Sequence, residues 1–232
     1  MFCHHCGTQV PAGVQFCPNC GQSVGVAGAL DATPPSTWTP PSGAKSQTGR
    51  WIGEGWRLVK EDLGNYVLLA VVFTVLNAVV PLILQGPLLV GFHIFTMRKL
   101  MGRSAEFGDL FKGFNLFVPT LVASLLIGLF TFVGTLFCII PGLVVAAMYK
   151  FTYLFILDKK MDFWPAMQAS HSLVKQDYFG FTMFLLALVG INILGALCCI
   201  VGVFVSIPVT FAAITVAYRD IVGFDEQTIA AL

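Results

Sequence analysis

The sequence predicts an all-α transmembrane fold, with six membrane helices paired as three hairpins and accompanied by interfacial amphipathic helices. A small cysteine-rich module on a disordered linker precedes them. Three observations support this prediction. The 232 residues are 56% hydrophobic and only 11% charged, whereas soluble domains carry about 25% charged residues. Three long apolar stretches each contain a turn without Asp, Glu, Lys or Arg, and two cysteine pairs lie near the N-terminus.

The N-terminal module contains two pairs of cysteines, each pair separated by two residues: Cys3 with Cys6, and Cys17 with Cys20. This spacing lets all four thiolates reach one tetrahedral zinc ion. A segment this short cannot build its own hydrophobic core, so zinc binding would supply the free energy of folding. We therefore predict a zinc ribbon over residues 1–22 with these cysteines as ligands of a structural Zn²⁺.

Other interpretations of the cysteines fit the sequence less well. A disulfide framework is typical of oxidising compartments, and a thioredoxin-like motif needs a βαβ context that this sequence lacks. His4 and His5 are interpreted as spacers, because four cysteines already fill the coordination shell. Four protein ligands also leave no open position for a catalytic water, which argues against a catalytic metal.

A linker follows over residues 23–49. It is rich in Pro, Gly, Ser and Thr, most densely in the run from Thr33 to Pro41. Such a composition has too little apolar content to fold, and it predicts a flexible, partly polyproline tether. Trp38 amid the prolines could instead mark a docking motif, but a plain linker is the simpler interpretation.

The membrane domain is predicted over residues 50–223, with a C-terminal tail over 224–232. Crossing about 30 Å of hydrocarbon takes roughly 20 apolar residues. Three segments reach about this length: they are 66–84, 116–137 and 179–200. Their predicted return partners are shorter: they are 87–97, 141–157 and 208–218. We expect the first and last return helices to begin before their prolines, with Arg98 and Arg219 snorkelling to the interface.

The charge pattern predicts the orientation. All 13 Lys and Arg residues except Lys150 lie before the first span, between the hairpins or after the last span, and the turns within the hairpins contain none. By the positive-inside rule, both termini are expected in the cytoplasm.

An approximate internal repeat precedes the hairpins. The segment 58–62 recurs at 173–177, and an amphipathic stripe over 107–114 takes the same place ahead of the second hairpin. These segments predict interfacial helices, each followed by a span, a turn and a return span. We expect three residues to cap such helices: Ser104, Glu106 and Asp162.

Polar residues within the apolar segments give a second candidate site. Lys150 is the one full charge far from a predicted water boundary, and an intramembrane cation is by default a functional hypothesis. The alternative is that its stem snorkels toward Asp158. His93 is a further candidate, although a neutral histidine hydrogen bonded across helices is the commoner outcome. Asn77 and Asn192 are expected to join helices.

Two stretches carry a resemblance to a known family. Residues 158–167 and 207–221 resemble a large set of uncharacterised bacterial polytopic membrane proteins, which are similar to the membrane domain of glycerophosphodiester phosphodiesterases. The resemblance covers about residues 55–223 and, separately, the ribbon at 1–22. It implies a six-helix protein of the bacterial inner membrane. It transfers no catalytic residues, because the soluble phosphodiesterase domain is absent from these positions.

These observations favour a non-enzymatic integral membrane protein whose tethered zinc ribbon binds a cytoplasmic protein partner in assembly or regulation. The alternative is a transporter or lipid-handling protein with a polar path near Lys150 and His93. A net charge of +1 gives no indication of nucleic-acid binding. The catalytic motifs that we sought, such as paired intramembrane carboxylates or a Gly-rich phosphate loop, are missing from the sequence.

Overall fold

The computed structural model describes residues 6, 8, 19, 20, 38–198, 202–225 and 228, with the backbone alone at 139 and 140. The chain divides into two compact units, Met1–Trp38 and Thr39–Leu232. The predicted domain boundaries near residues 22 and 49 stay predictions.

All regular structure in the described residues is helical, as the sequence predicts. The described chain forms ten α-helices: α1 Thr48–Glu61, α2 Leu63–Val79, α3 Gln85–Leu100, α4 Asp109–Lys112, α5 Phe117–Phe137, α6 Ile139–Met148, α7 Thr152–Asp158, α8 Phe163–Val174, α9 Tyr178–Leu197 and α10 Val203–Ile221. Two short 3₁₀ segments, Gly113–Leu116 and Lys175–Asp177, lead into α5 and α9.

The helices differ in whether they are long enough to cross a membrane. Four segments of the described chain are long and apolar enough to cross a membrane: they are Asp109–Phe137, Pro141–Asp158, Phe163–Leu197 and Val203–Ile221. α1 and α2 meet at 100° and pass the same test only as one bent segment. With 16 residues, α3 is about 24 Å long and falls short of the roughly 30 Å hydrocarbon core. The six-span arrangement is therefore not confirmed and stays a prediction.

The predicted return helices do begin before their prolines. α3 begins at Gln85, so Pro87 lies in its first turn, where a missing backbone N–H costs little. α10 begins at Val203 and contains Pro208 within it. These earlier starts lengthen both helices beyond the 11 residues counted from each proline.

α1 is an amphipathic helix that packs against α10. Its buried residues are spaced four apart: Trp51, Gly55 and Val59. The Trp51 indole N–H donates to Asp220 at 3.0 Å, and Arg219 forms a bidentate pair with Glu54 at 2.7 and 3.0 Å. The first helix of this unit is thus held by the last one.

The predicted helix caps are confirmed in one case and wrong in another. Asp162 accepts from the N–H of the next residue at 2.8 Å, at the start of α8. Ser104 and Glu106 do not cap α4, which begins only at Asp109. Instead, the Asp109 carboxylate accepts from the Glu106 N–H at 3.0 Å. The buried Asp109 also pairs with Arg98 at 3.1 Å and with Lys112 at 2.9 Å.

The core of the second unit, Thr39–Leu232 (the membrane unit), joins α1, α2, α3, α4 and α10. Its buried cluster consists of Val59, Tyr66, Leu69, Leu88, Phe92, Phe95, Leu110, Val209, Phe211 and Ala212. The backbone of α3 passes so close to the segment 110–113 that glycine is required on both sides, at Gly91 and Gly113. By contrast, Phe137 and Phe179 at the ends of α5 and α9 are 83% and 76% exposed, which suits a lipid-facing surface.

Candidate functional site

The described ribbon residues place the two cysteine turns next to each other. Cys6 and Cys20 are both exposed at turns. The Thr8 hydroxyl accepts from the Cys6 thiol at 3.3 Å and from the Asn19 amide at 3.1 Å. Since Asn19 adjoins Cys20, this arrangement fits two turns that supply thiolates to one zinc ion. The other predicted ligands, Cys3 and Cys17, lie outside the described residues.

The membrane unit contains a cavity of about 380 Å³. Residues from α2, α3, α5, α6, α7, α9 and α10 line it, so all three predicted hairpins contribute to one space. Its polar lining residues are Gln85, His93, Tyr149, Lys150, Tyr153, Asn192 and Thr210. Lys150 and His93, which the sequence analysis selected independently, thus lie on the same cavity.

A break between α6 and α7 positions Lys150. α6 ends at Met148 and α7 begins at Thr152, which leaves backbone groups that a continuous helix would pair. The Ser170 hydroxyl of α8 accepts from the Phe151 N–H at 3.2 Å and donates to the Met148 carbonyl at 2.6 Å. One side chain therefore satisfies both sides of the break, as buried backbone groups require.

Lys150 has no carboxylate partner among the described residues, whereas Lys99, Lys112 and Lys159 each form an ion pair. No acidic residue is among the described residues that line the cavity. Asp158, the alternative partner for a snorkelling Lys150, is buried and already engaged. It accepts from Lys159 at 3.0 Å, from the Tyr218 hydroxyl at 3.0 Å and from the Asp225 N–H at 2.7 Å. The structure therefore places Lys150 at the cavity and does not pair it with Asp158.

His93 joins α3 to α10 and has a defined tautomer. Its Nδ1 lies 2.8 Å from the Thr215 hydroxyl oxygen. Because that hydroxyl donates to the Phe211 carbonyl at 2.8 Å, it must accept from His93, which places the proton of a neutral ring on Nδ1. His93 is thus hydrogen bonded across helices, which is the commoner of the two outcomes considered from the sequence.

The two intramembrane asparagines have different roles. The Asn192 amide nitrogen donates to Thr210 at 2.7 Å, and its oxygen accepts from Ser206 at 3.0 Å, so it joins α9 to α10. This part of the prediction is confirmed. Asn77 donates to the Phe73 carbonyl of its own helix at 2.9 Å, and that bond joins no second helix.

Three further residues at or near the cavity were not predicted from the sequence: Ser170, Tyr149 and Tyr153. Serine within a helix gives no signal of a distant backbone break, and tyrosines in apolar segments are common interfacial residues. The one available signal was the break in apolar character at Tyr149-Lys150 within 141–157. A helix that interrupts its own hydrophobic run at a charged residue is a candidate for a discontinuous span.

We expect Ser170→Ala to destabilise the membrane unit by about 2 kcal/mol, because it leaves two buried backbone groups without a partner. The measurement is thermal or denaturant unfolding of the detergent-solubilised protein. Ser172→Ala is the matched control, since Ser172 donates only to a carbonyl of its own helix. Equal stability of the two variants would contradict the role of Ser170 at the break.

The chain thus combines helices that are compatible with a membrane and an N-terminal module with zinc-ribbon chemistry. Residues 2–24 match the zinc-ribbon domain family. This match supports the cysteine-based prediction of zinc binding.

More distant similarity extends beyond the ribbon. The chain is 31% identical over 122 residues to the uncharacterized proteins Mb2590 of Mycobacterium bovis and Rv2560 of Mycobacterium tuberculosis. The similarity covers 53% of this chain but only 37% of the length of each relative. No solved structure matches the chain.

Proposed function

We propose that the protein is a non-enzymatic integral membrane protein of the bacterial inner membrane, whose cytoplasmic zinc ribbon binds a protein partner in assembly or regulation. The observation that carries the proposal is the zinc-ribbon match at residues 2–24 in a unit distinct from the membrane helices. A structural zinc site with four protein ligands offers a folded surface but no open coordination position, so binding suits it better than catalysis.

The orientation with both termini in the cytoplasm is part of the proposal. Ion pairs connect the segments that the sequence analysis assigned to one side: Arg50 with Asp220, Lys99 with Asp62, Arg98 with Asp109, and Arg219 with Glu54. Their mutual contact supports one shared, positively biased face. The six-span arrangement and the resemblance to the phosphodiesterase membrane domain stay predictions.

A crosslinked pulldown from bacterial cells tests the partner proposal. We expect the wild-type protein to capture a cytoplasmic protein that Cys6→Ser, which removes a predicted zinc ligand, captures at a tenth or less of that level. Cys138→Ser is the matched control, because it removes an exposed cysteine of the membrane unit instead. The same captured proteins at the same yield from all three would overturn the proposal.

A second candidate function is ligand handling by the membrane unit, as a transporter or lipid-handling protein. The observation in its favour is the cavity, which is lined by Lys150, a cation that has no carboxylate partner in the part of the chain that the structure describes. Its volume lies within the roughly 300–1,000 Å³ of small-molecule sites. Binding sites formed where a helix is broken also occur in membrane transporters.

A further inference from the structure

We propose that the cavity binds the headgroup of an anionic lipid, with its single negative charge on Lys150 and its apolar part against the hydrophobic wall. This inference rests on the second candidate function and names its ligand class. A phosphodiester lipid such as phosphatidylglycerol carries the required charge and shape.

The charge balance of the cavity selects an anion. Among the described lining residues Lys150 is the one full charge, and none of them is a carboxylate that could neutralise it. An ammonium in apolar surroundings is costly unless it is paired. One cation balances a monoanion, whereas a dianionic phosphomonoester would leave a second charge without compensation. Lysine also binds phosphate oxygens as a compact point charge.

The remaining lining selects an amphiphile. Phe73, Leu89, Ile127 and Phe211 form an apolar wall from four different helices. A bare inorganic ion would leave this wall without a contact, while a glycerol or acyl portion would bury it and gain the corresponding hydrophobic free energy. At about 380 Å³, the cavity suits a headgroup and its adjoining atoms.

The polar groups beside Lys150 differ in their availability. The Tyr153 hydroxyl is hydrogen bonded to Ser124 at 3.0 Å, and Asn192 is engaged by Ser206 and Thr210. For His93, the bond from Nδ1 to Thr215 leaves Nε2 of the neutral ring as an acceptor. A headgroup hydroxyl can donate to that nitrogen while the phosphodiester contacts Lys150, which favours a hydroxyl-bearing headgroup.

The test is native mass spectrometry of the full-length protein in a neutral detergent, titrated with phosphatidylglycerol or with zwitterionic phosphatidylcholine. We expect phosphatidylglycerol to bind the wild type at least about tenfold more tightly, as one charged hydrogen bond provides. Lys150→Met should remove this preference, and Lys150→Arg should retain most of it. Lys175→Met is the matched control, since it removes an exposed lysine outside the cavity, and we expect it to bind as the wild type does.

Two further measurements identify the source of the anion and distinguish failure of the lipid proposal from failure of the ligand-handling function. Inorganic phosphate at millimolar concentration should not displace phosphatidylglycerol; displacement would overturn the lipid assignment. Ala146→Leu fills the cavity and keeps Lys150, so it should weaken lipid binding about tenfold. If the wild type binds the two lipids equally and Ala146→Leu weakens the binding of both, the anion inference fails and the ligand-handling function stands. If Ala146→Leu changes the binding of neither lipid, the anion inference and the ligand-handling function both fail.

Discussion

The purified protein is expected to contain one zinc ion per chain, and Cys17→Ser is expected to lose it. Four thiolates from two turns form a closed tetrahedral site, and a module of about twenty residues has no other source of folding free energy. Structural zinc contributes about 10–16 kcal/mol in comparable peptides at neutral pH. Removing one ligand should therefore unfold the module as well as weaken the metal site.

Metal content is measured by mass spectrometry of the protein after dialysis, and ribbon folding by resistance to limited proteolysis within residues 1–22. A chelator should reproduce the effect of Cys17→Ser on the wild type. His5→Ala and Cys138→Ser serve as controls that should retain one zinc, because neither residue is a predicted ligand. Loss of zinc from His5→Ala would show that the ligand set is different from four cysteines.

Gly91→Ala is expected to destabilise the membrane unit by about 3 kcal/mol or to prevent its folding. A Cβ at this position would fall well inside van der Waals contact with the Leu110 carbonyl oxygen. That oxygen belongs to backbone and cannot move like a flexible side chain. The facing Gly113 makes the same close approach to the Pro87 carbonyl, so the two segments would have to separate. Overpacking of this kind typically costs 1–3 kcal/mol.

The matched control is Gly190→Ala in α9, where a Cβ would meet nothing within 4 Å. Because alanine has the higher helix propensity, this variant should be as stable as the wild type or more stable by up to about 1 kcal/mol. Thermal unfolding of the detergent-solubilised proteins measures both. We thus expect Gly91→Ala and Gly190→Ala to change the stability in opposite directions. A similar change in both variants would show that α3 does not approach the segment 110–113 closely.

Much of the helical architecture followed from hydrophobic patterning and charge. Apolar runs of about 20 residues predicted α5 and α9, and Asp162 predicted the start of α8, because these signals are local. The helix count across the membrane did not follow in the same way. α3 has 16 residues, and its role depends on packing against α2 and α10, which no local pattern encodes.

The two candidate sites also differ in how far the sequence predicts them. The four zinc ligands stay a prediction from spacing, because two residues between cysteines let both thiolates of a pair reach one ion. Lys150 was recognisable as a cation in an apolar segment, but its place on the cavity depends on a helix break held by Ser170, a residue 20 positions away in the sequence. Asp109 shows the same limit, because its ion pair with Arg98 joins two helices and no local pattern encodes it.

The contact between α1 and α10 also determines when, during synthesis, the fold of the membrane unit can be completed. The face of α1 that contains Trp51 is matched to Asp220 and Arg219, which are translated some 170 residues later. Until that point the apolar side of α1 lacks its main protein contact, although Phe181 and Phe184 of α9 pack against Trp51, and the bilayer interface can cover the rest. Assembly is therefore completed by α10, and a chain that stops before Val203 would lack most of the contacts that hold α1.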